Sequence, residues 1–477
     1  MELIRKTARE VLDLLQTGAI THSEMLDQLA ARVVEVDPAV NALPTLCFEK
    51  ARKDAAKIAE IAPDARGLLG GMPVAIKDLT MVAGVRSTYG SPIYADHVPE
   101  RSDHLVTQIE ARGGVVYAKS NTPEFGAGAS TFNEVFGRTR NPWDLSRSVA
   151  GSSGGSAAAL VSGMAWLASG SDLGGSLRNP ASFCGCVGLR PSIGRVPSGP
   201  GSDAFGTLSV EGPMARNTGD LGLLLDAMAG AVSAEPLAQP GNSGFRVAAE
   251  APRLPTRVAY SPDLGITPVD KEVVSVTRAA AERLAALGVM VEETAPDFSG
   301  AHEAFQTLRG LGFAASHAGH YADHRDKLKP DVIWNIEKGL ALTGAEIARA
   351  LRLRSEITAR MAAFFETYDL LLTPATIVPP FPVEARTVTD CNGQTFETYI
   401  DWLAIVFAIT LTGCPALSLP CGFTADRLPV GLQMVAPIRG EARLLSQAAA
   451  LEAELALDLG PIDPPGGGGG GGGGGDA

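Results

Sequence analysis

The amino-acid sequence predicts an α/β fold, a single α/β/α domain in which helices flank a large mixed, mostly parallel β-sheet. One observation is the rhythm after residue 70, where short apolar runs alternate with segments of helical spacing. Another is the composition, since only 19% of the 477 residues are charged and 45% are hydrophobic. A low charged fraction indicates little surface per unit of volume, which favours one large body over several small domains.

Three helices are predicted within residues 1–60, which form most of an N-terminal helical segment (residues 1–65) packed on the domain. Leu, Val and Ile recur at helical spacing in TAREVLDLLQTG. Thr21 then caps a second helix with Glu24 at the capping-box position, and Pro38 is expected to end that helix.

The remaining strands and helices follow from the same patterns further along the chain. Apolar runs bounded by turn residues predict strands in MPVAIKD, GGVVYAKSN, TRVAYSP, GVMVEE and LLLTPAT. Helical spacing predicts helices at residues 101–112, 269–288 and 441–457. The uncharged residues 148–171 begin as a Gly/Ser loop and continue as a helix of small residues, which should be central and buried.

The C-terminal part of the chain contains two unusual stretches. Residues 402–425 carry no charge, but Gly413 and Pro415 interrupt them, so we predict a buried helix and a buried strand rather than a membrane span. The domain is predicted to end at residue 460. Residues 461–477 include ten consecutive glycines at 466–475, which cannot pack a core and predict a disordered tail.

The charge balance restricts the class of partner. The formal net charge is −13 and no long Lys/Arg cluster is present, which argues against nucleic-acid binding. An acidic chain has little attraction to anionic lipid, and the charged N-terminus lacks the apolar core of a signal peptide. We therefore expect a cytoplasmic protein with a small-molecule partner and no membrane partner, and a homodimer is compatible with the sequence.

Cysteine and histidine spacing indicates neither a disulfide framework nor a metal site. The six cysteines are scattered, and Cys184 and Cys186 are separated by one residue rather than the two typical of zinc sites. His317, His320 and His324 share one face of a predicted helix, where they are interpreted as pocket-lining or surface residues. No metal or organic cofactor is expected.

Two short motifs resemble a nucleophile elbow and a phosphate-binding loop, but the residues in and around them do not fit those structures. Residues 151–155, GSSGG, fit a nucleophile elbow centred on Ser153, yet the preceding DLSRSV is a poor strand. Residues 113–120 approximate a phosphate-binding loop, but Ala118 replaces the required glycine and the intervening VVY favours a strand. An esterase that uses Ser153 stays an alternative, whereas nucleotide binding is not expected.

A third group of residues contains both a possible base and possible serine nucleophiles. Lys77 ends the apolar strand of MPVAIKD, Ser152 lies in the Gly/Ser loop, and Ser176 follows Gly174 and Gly175. Burial shifts a lysine toward its neutral form, which can act as the base that a serine nucleophile requires. The consecutive glycines leave backbone N–H groups free to face a developing oxyanion.

This arrangement resembles the amidase signature family of serine hydrolases. The resemblance rests on AGSSGGSAAALVSGMAWLASGSDLGGSLRNPASFCGCVGLRPS, residues 150–192. It extends to MPVAIKD at 72–78, to NTPEFGAG and FGRTRNPWD within 121–144, and to LPVGLQMVAP at 428–437. Weak agreement covers nearly the whole chain to about residue 455, and the order and spacing of so long a pattern make the resemblance highly specific.

The resemblance implies a role for individual residues of this chain. Its catalytic group would be the base Lys77, the bridging serine Ser152 with its cis peptide bond, and the nucleophile Ser176. The oxyanion hole would be formed by the backbone N–H groups of Leu173, Gly174, Gly175 and Ser176. Substrate contacts would come from Gly126 and Ser152. Supporting residues, rather than catalysts, would be Ser153, Asp172 and Arg178.

The implied reaction is amide hydrolysis through an acyl-enzyme. Neutral Lys77 takes a proton from Ser152 while Ser152 takes one from Ser176, which attacks the amide carbonyl. The protons return to the leaving amine, and water repeats the relay to release the acid. Ala150 and Ser171 stand where the family often has Gly and Thr, small changes that keep the three catalytic positions.

The sequence says less about the substrate, for which we expect a small carboxamide or an aryl or alkyl amide. Trp334, Tyr399 and Trp402 lie in or near segments expected to form the pocket and would suit an aromatic amide, although core packing explains each equally well. The family also includes the glutamine-hydrolysing subunit of a tRNA-dependent amidotransferase, which stays an alternative. The glutamine-reading Arg/Asp pair of such a subunit is not identified in this sequence.

Overall fold

The computed structural model describes residues 2–199, 203–241 and 244–465. The glycine run at 466–475, for which the sequence predicts disorder, lies outside the described residues.

The first residues of the predicted tail contact the domain. The Ile462 N–H donates to Val161 O at 2.8 Å, and the Ile462 carbonyl accepts from Arg32 Nη2 at 3.0 Å. Arg32 also forms an ion pair with Asp463 at 2.7 Å. Residues 462 and 463 therefore find hydrogen-bond and ion-pair partners on the body of the protein, while the boundary at residue 460 stays a prediction.

Helices flank the large β-sheet. In chain order they are α1 (Ala8–Gln16), α2 (His22–Val40), α3 (Phe48–Ala59), α4 (His104–Ala111), α5 (Gly154–Val161), α6 (Arg178–Cys184), α7 (Thr218–Met228), α8 (Phe245–Glu250), α9 (Lys271–Ala286), α10 (Ala301–His324), α11 (Pro330–Leu340), α12 (Gly344–Phe364), α13 (Ala404–Thr412) and α14 (Glu441–Leu455). Short 3₁₀ turns occur at Leu3–Arg5, Pro63–Ala65, Pro92–Tyr94, Glu124–Gly126, Arg325–Lys327 and Asp401–Leu403.

The strands form one large sheet and three small ribbons. In chain order they are β1 (Thr45–Leu46), β2 (Pro73–Lys77), β3 (Val115–Ser120), β4 (Phe132–Asn133), β5 (Gly137–Arg138), β6 (Arg140–Asn141), β7 (Asp144–Ser148), β8 (Leu167–Asp172), β9 (Val187–Arg190), β10 (Val210–Ala215), β11 (Arg257–Tyr260), β12 (Met290–Glu293), β13 (Leu370–Pro374), β14 (Asp390–Cys391), β15 (Gln394–Thr395), β16 (Ala416–Phe423) and β17 (Pro429–Val435).

The large sheet has eleven strands in the order β1-β3-β2-β8-β10-β9-β16-β17-β13-β11-β12. It is mixed, as predicted, but the expectation of mostly parallel strands is wrong. Four neighbouring pairs are parallel and six are antiparallel. Helical crossovers keep β2 parallel to β3 and β11 parallel to β12, whereas the short turn between β16 and β17 forces an antiparallel pair.

Most predicted elements are confirmed. The apolar runs form β2, β3, β11, β12 and β13, and the helical segments form α4, α9 and α14. Residues 402–425 form α13 followed by β16, both largely buried. The capping box of Thr21 and Glu24 starts α2, although Pro38 does not end it. That helix continues to Val40 and ends at Asn41, which adopts a left-handed conformation.

One strand in the middle of the sheet, β8, is not predicted by the sequence patterns. The uncharged segment 148–171 contains the short buried helix α5, as expected, but its second half forms β8. This strand reads LASGSD and contains no β-branched or aromatic residue. It is a strand because it is fully buried between β2 and β10, so neighbouring backbones determine its conformation.

The functional segments converge at one edge of the sheet. β2 ends at Lys77 and the parallel β8 ends at Asp172, so both residues leave the sheet on the same side. Helix α5 packs close to this edge because its residues are small. A Cβ atom added to Gly155 would lie 2.3 Å from the Asn121 nitrogen, a distance that no larger residue tolerates.

Within the described residues, no helix combines the length and the apolar character needed to cross a bilayer. The six cysteines are free thiols, and all except Cys47 are buried. Burial raises the pKa of the Cys47 thiol to about 11, so this half-buried group stays protonated at neutral pH.

The buried side chains of α1, α2 and α3 belong to the same hydrophobic core as the sheet. If residues 1–460 form one domain, as the sequence predicts, Leu29→Ala in α2 will destabilise the whole protein by about 2–5 kcal/mol, because it leaves a cavity in that shared core. Calorimetry should then show a single transition at a lower temperature. The matched control is Val34→Ala on the exposed face of α2, expected within about 0.5 kcal/mol of wild type. A separate early transition in Leu29→Ala would contradict the single domain.

Candidate active site

Lys77 lies at the centre of a cluster of serine side chains. Its Nζ lies 2.7 Å from Ser152 Oγ, 2.9 Å from Ser153 Oγ and 2.9 Å from Ser171 Oγ. The lysine is completely buried, and its backbone N–H donates to Ser169 Oγ at 3.0 Å. Strand β2 and the loop before α5 therefore bring together the two residues, Lys77 and Ser152, that the sequence pairs as base and bridge.

Burial is the main cause of a lowered pKa at Lys77, because the ammonium form loses its hydration there. Glu211 and Asp172 act in the opposite direction through their charge. Glu211 stands directly opposite Ser171 in the β8–β10 pairing, and burial raises its own pKa. The environment thus favours the neutral forms of both Lys77 and Glu211.

Ser152 and Ser153 are neighbours with different access to solvent. The peptide bond between Gly151 and Ser152 is cis, as the family resemblance implies. Ser152 lines a pocket, whereas Ser153 is fully buried beneath it and contacts Lys77 Nζ and the Ser171 backbone. Its described hydrogen-bond partners include no histidine, so the geometry argues against Ser153 as an elbow nucleophile.

Ser176 lies in the loop between β8 and α6 and lines the same pocket as Ser152. Its carbonyl accepts a hydrogen bond from the Ser153 N–H at 3.2 Å, which ties the two serine loops together. Among the described residues, no hydrogen bond joins the Ser152 and Ser176 side chains. Such contacts often become short only when a substrate is bound.

The loop of residues 173–176 presents backbone N–H groups at the pocket. Those of Leu173, Gly174 and Ser176 have no described hydrogen-bond partner. Gly175 differs from the expectation, because its N–H donates to Asp172 Oδ1 at 2.9 Å and is already engaged. Gly175 has a φ of 104°, and an added Cβ would lie 2.5 Å from Val406, so its role is to shape the loop.

A buried ion pair holds this loop. Arg178 donates to Asp172 through Nε at 3.0 Å and Nη2 at 2.9 Å, and both side chains are inaccessible to solvent. Arg178 Nη1 also reaches the Val406 carbonyl and the Gln433 side chain. Burial alone would raise the pKa of Asp172, but the charges of Arg178 and Arg190 hold it well below its usual range.

The pocket lies between the two serine loops and helix α10, and it opens to solvent at its mouth. Gly126 lines this pocket. Its other side is formed by Phe305, Arg309, Phe313 and Tyr399. Of the predicted aromatic residues, only Tyr399 reaches the pocket. Trp402 is buried in the core, and Trp334 packs against the Tyr399 ring at 5.6 Å.

The three histidines of α10 do not form a metal site. Within the described residues, no group of three His, Cys, Asp or Glu side chains could hold a metal ion. The ring of His317 packs 4.5 Å from Phe125, and His320 Nε2 lies 2.8 Å from the Tyr94 hydroxyl. Burial, followed by the charge of His320, lowers the pKa of His317 to about 4, so that ring is neutral at physiological pH.

Sequence reasoning misses three residues of the site, namely Ser171, Glu211 and Arg309. Ser169 and Ser171 alternate along β8 and both face Lys77, a period of two that is visible only once the strand is recognised. Arg309 stands four residues from Phe305 and from Phe313, so all three share one face of α10. That spacing could have been read from the sequence, but nothing in it tells which face meets the pocket.

A comparison with protein-family models identifies the family of this chain. The family model described as Amidase matches residues 24–445. The chain belongs to the amidase signature family. This amidase is a hydrolase that acts on carbon–nitrogen bonds of amides, and the resemblance stated from the sequence is confirmed.

Two curated relatives illustrate the range of the family. The amidase is 33% identical over 453 residues to an acylamidase of Rhodococcus erythropolis, covering 94% of this chain and 95% of the relative. It is 35% identical over 490 residues to a glutamyl-tRNA(Gln) amidotransferase subunit of Moorella thermoacetica, covering 95% and 97%. Full-length similarity therefore extends both to an acylamidase and to one component of an amidotransferase.

Two solved structures share the architecture of the amidase. A bacterial aryl acylamidase of the amidase signature family superposes with a TM-score of 0.88 at 25% identity, covering 94% of this chain and 96% of that one. A 6-aminohexanoate cyclic dimer hydrolase, solved with its substrate, gives a TM-score of 0.87 at 29% identity, covering 98% and 99%. The predicted α/β architecture is confirmed by these matches.

Asp172→Asn tests the ion pair beneath the loop. It leaves the buried Arg178 charge without its partner and should destabilise the protein by about 3–5 kcal/mol in denaturant unfolding. The control is Glu303→Gln, which removes an exposed partner of Arg349 and should cost less than about 1 kcal/mol. Equal effects of the two substitutions would show that the Asp172–Arg178 pair does not anchor the loop.

Proposed function

We propose that this amidase hydrolyses a small carboxamide, or an aryl or alkyl amide, to a carboxylic acid and ammonia or an amine. Ser176 is the nucleophile, Ser152 the bridge and Lys77 the base. The observation that carries the proposal is a buried lysine whose Nζ lies 2.7 Å from a serine that shares a pocket with Ser176. The substrate is a small molecule, and no metal or organic cofactor takes part.

The number of hydrogens on the lysine nitrogen explains how the relay starts. An ammonium group has three donors and no acceptor, whereas a neutral amine has two hydrogens and one lone pair. With three serine oxygens around Nζ, the neutral form can donate to two of them and accept the hydroxyl proton of the third. When Ser152 is that third group, its oxygen is ready to take the proton of Ser176.

The acylation step then forms one bond and breaks one. Ser176 Oγ bonds to the amide carbon as its proton passes to Ser152 and the Ser152 proton passes to Lys77. The carbonyl oxygen becomes negative and is stabilised by the N–H groups of Leu173, Gly174 and Ser176. As the C–N bond breaks, the proton returns through Ser152 to the leaving nitrogen. Water repeats the sequence and releases the acid.

The names of the relatives support amides as substrates. The acylamidase, the aryl acylamidase and the 6-aminohexanoate cyclic dimer hydrolase are named for amide-type compounds. The amidotransferase relatives support a second candidate, a glutamine-hydrolysing subunit. A subunit of this kind requires a partner protein for its activity, whereas the first candidate acts alone. Location in the cytoplasm stays a prediction from the sequence.

A serine-directed fluorophosphonate tests the identity of the nucleophile. The reagent should label Ser176, because this serine lines the pocket. Fragment spectra of the tryptic peptide 148–178, which contains both Ser153 and Ser176, locate the label. Ser176→Ala should abolish labelling and lower kcat by about 10⁴-fold or more. Ser153→Ala should keep the label. A label on Ser153 would instead support the esterase alternative and refute the assignment.

The pH profile tests Lys77 as the base. Burial lowers its pKa to about 7, and only the neutral form accepts a proton, so kcat/KM should rise with pH through this value and level off above it. Lys77→Ala should lower kcat about 10²- to 10⁴-fold and remove the rise. Lys57→Ala, at an exposed position, serves as the control. Full activity of Lys77→Ala at neutral pH would contradict the relay.

A further inference from the structure

One wall of the pocket combines two aromatic rings with a positive charge. Phe305, Arg309 and Phe313 follow one another at four-residue intervals on α10, and all three line the pocket. The Phe305 ring lies against the oxyanion loop, since a Cβ added to Gly174 would approach its Cζ to 3.0 Å. Arg309 is four residues further on, just over one helical turn, or about 6 Å along the axis.

Arg309 is held in place by neutral groups. Its Nε donates to Asn335 Oδ1 at 3.0 Å, and its Nη2 donates to the Tyr399 hydroxyl at 2.8 Å. The guanidinium also packs on the Phe313 ring, 4.7 Å from the centroid. The residue is only 8% exposed, yet no described carboxylate forms an ion pair with it, and its Nη1 has no described hydrogen-bond partner.

The Tyr399 hydroxyl adds a second donor to the same wall. Its oxygen accepts from Arg309 Nη2 at 2.8 Å and from Asn335 Nδ2 at 2.5 Å. With both lone pairs used in this way, the hydroxyl proton is left to donate to another group. Asn335 is fixed in turn, because its Nδ2 also donates to the Asp331 carbonyl.

We propose that Arg309 and Tyr399 bind an anionic group of the substrate, so that the preferred amides carry a carboxylate. The wall offers donors and a positive charge but no described acceptor. A buried cation without a counter-ion is costly, and a carboxylate from the substrate supplies the missing charge and accepts both donors. A neutral substrate leaves these donors unpaired, so the site should discriminate strongly against amides that lack a carboxylate. This inference rests on the proposed amide hydrolysis.

The distance along α10 limits where the carboxylate lies. Phe305 contacts the loop that faces the reacting carbonyl, and Arg309 lies one turn beyond it, so the two groups of the substrate are separated by a few bonds. Monoamides of short dicarboxylic acids meet this condition on the acyl side, and free glutamine belongs to the same class. An anilide with a carboxylate on its ring meets it on the amine side.

The experiment compares matched amides with and without the carboxylate. On the acyl side, succinamate, glutaramate, adipamate and glutamine are compared with valeramide, and on the amine side 4-acetamidobenzoate is compared with acetanilide. Wild type should favour at least one carboxylate amide by about 10-fold or more in kcat/KM. Arg309→Gln should remove that preference mainly by raising KM for the carboxylate amides, so that the ratio of kcat/KM between carboxylate and neutral amides falls toward one. Arg309→Lys should restore part of it.

The control variant is Lys338→Gln, which removes a neighbouring positive charge that packs on Trp334 and does not line the pocket. It should leave the preference intact. If Arg309→Gln does not fold, the wild-type enzyme still decides, because glutarate should inhibit acetanilide hydrolysis competitively and more strongly than valeramide does. Ser176-dependent hydrolysis of neutral amides with no carboxylate preference would overturn this inference alone. Failure of wild type to hydrolyse any amide would refute the proposed function as well.

Discussion

The burial of one lysine side chain among serine hydroxyls is the interaction on which the rest of this structure depends. An ammonium ion removed from water costs several kcal/mol even after the protein relaxes around it. At Lys77 three hydroxyl oxygens replace the lost hydration, and the Asp172 carboxylate contributes negative charge from further away. The compensation is incomplete, so the neutral amine is favoured. A lysine in this condition is a base, and the serines that solvate it are the groups from which it can take a proton.

The sequence around the lysine is shaped by the need to bury it. Helix α5 is made of small residues so that its backbone can approach β3, and β8 carries serines where a typical strand carries branched apolar side chains. The loop that follows β8 is held from below by the Asp172–Arg178 pair, which also engages one N–H of that loop. The N–H groups of Leu173, Gly174 and Ser176, residues that line the pocket, have no described hydrogen-bond partner. The absence of charge between Arg147 and Asp172 therefore follows from the need to bury Lys77.

Chemistry and recognition are supplied by different parts of the chain. The proposed reacting groups come from the end of β2, the loop before α5 and the loop after β8, which backbone hydrogen bonds tie together. The opposite wall comes from α10 and from the segment around Tyr399, outside the sheet. Relatives with differently named substrates match nearly the whole chain at 25–35% identity. In this chain that wall is aromatic and cationic, and its donors are oriented by Asn335.

The sequence by itself determined the α/β class and most of the strands and helices, and it predicted the roles of Lys77, Ser152 and Ser176. Apolar periodicity is a local property, and the long Gly/Ser pattern keeps its order and spacing. Only the tertiary structure decided the rest. β8 has no strand propensity of its own and is a strand because β2 and β10 enclose it. The engagement of the Gly175 N–H depends on Asp172, whose position depends in turn on Arg178. The antiparallel majority of the sheet depends on which strands become neighbours. Arg309 is far from Ser176 along the chain, and it lines the pocket because α10 packs against the loop of residues 173–176. A contact between such distant segments cannot be predicted from a local sequence pattern.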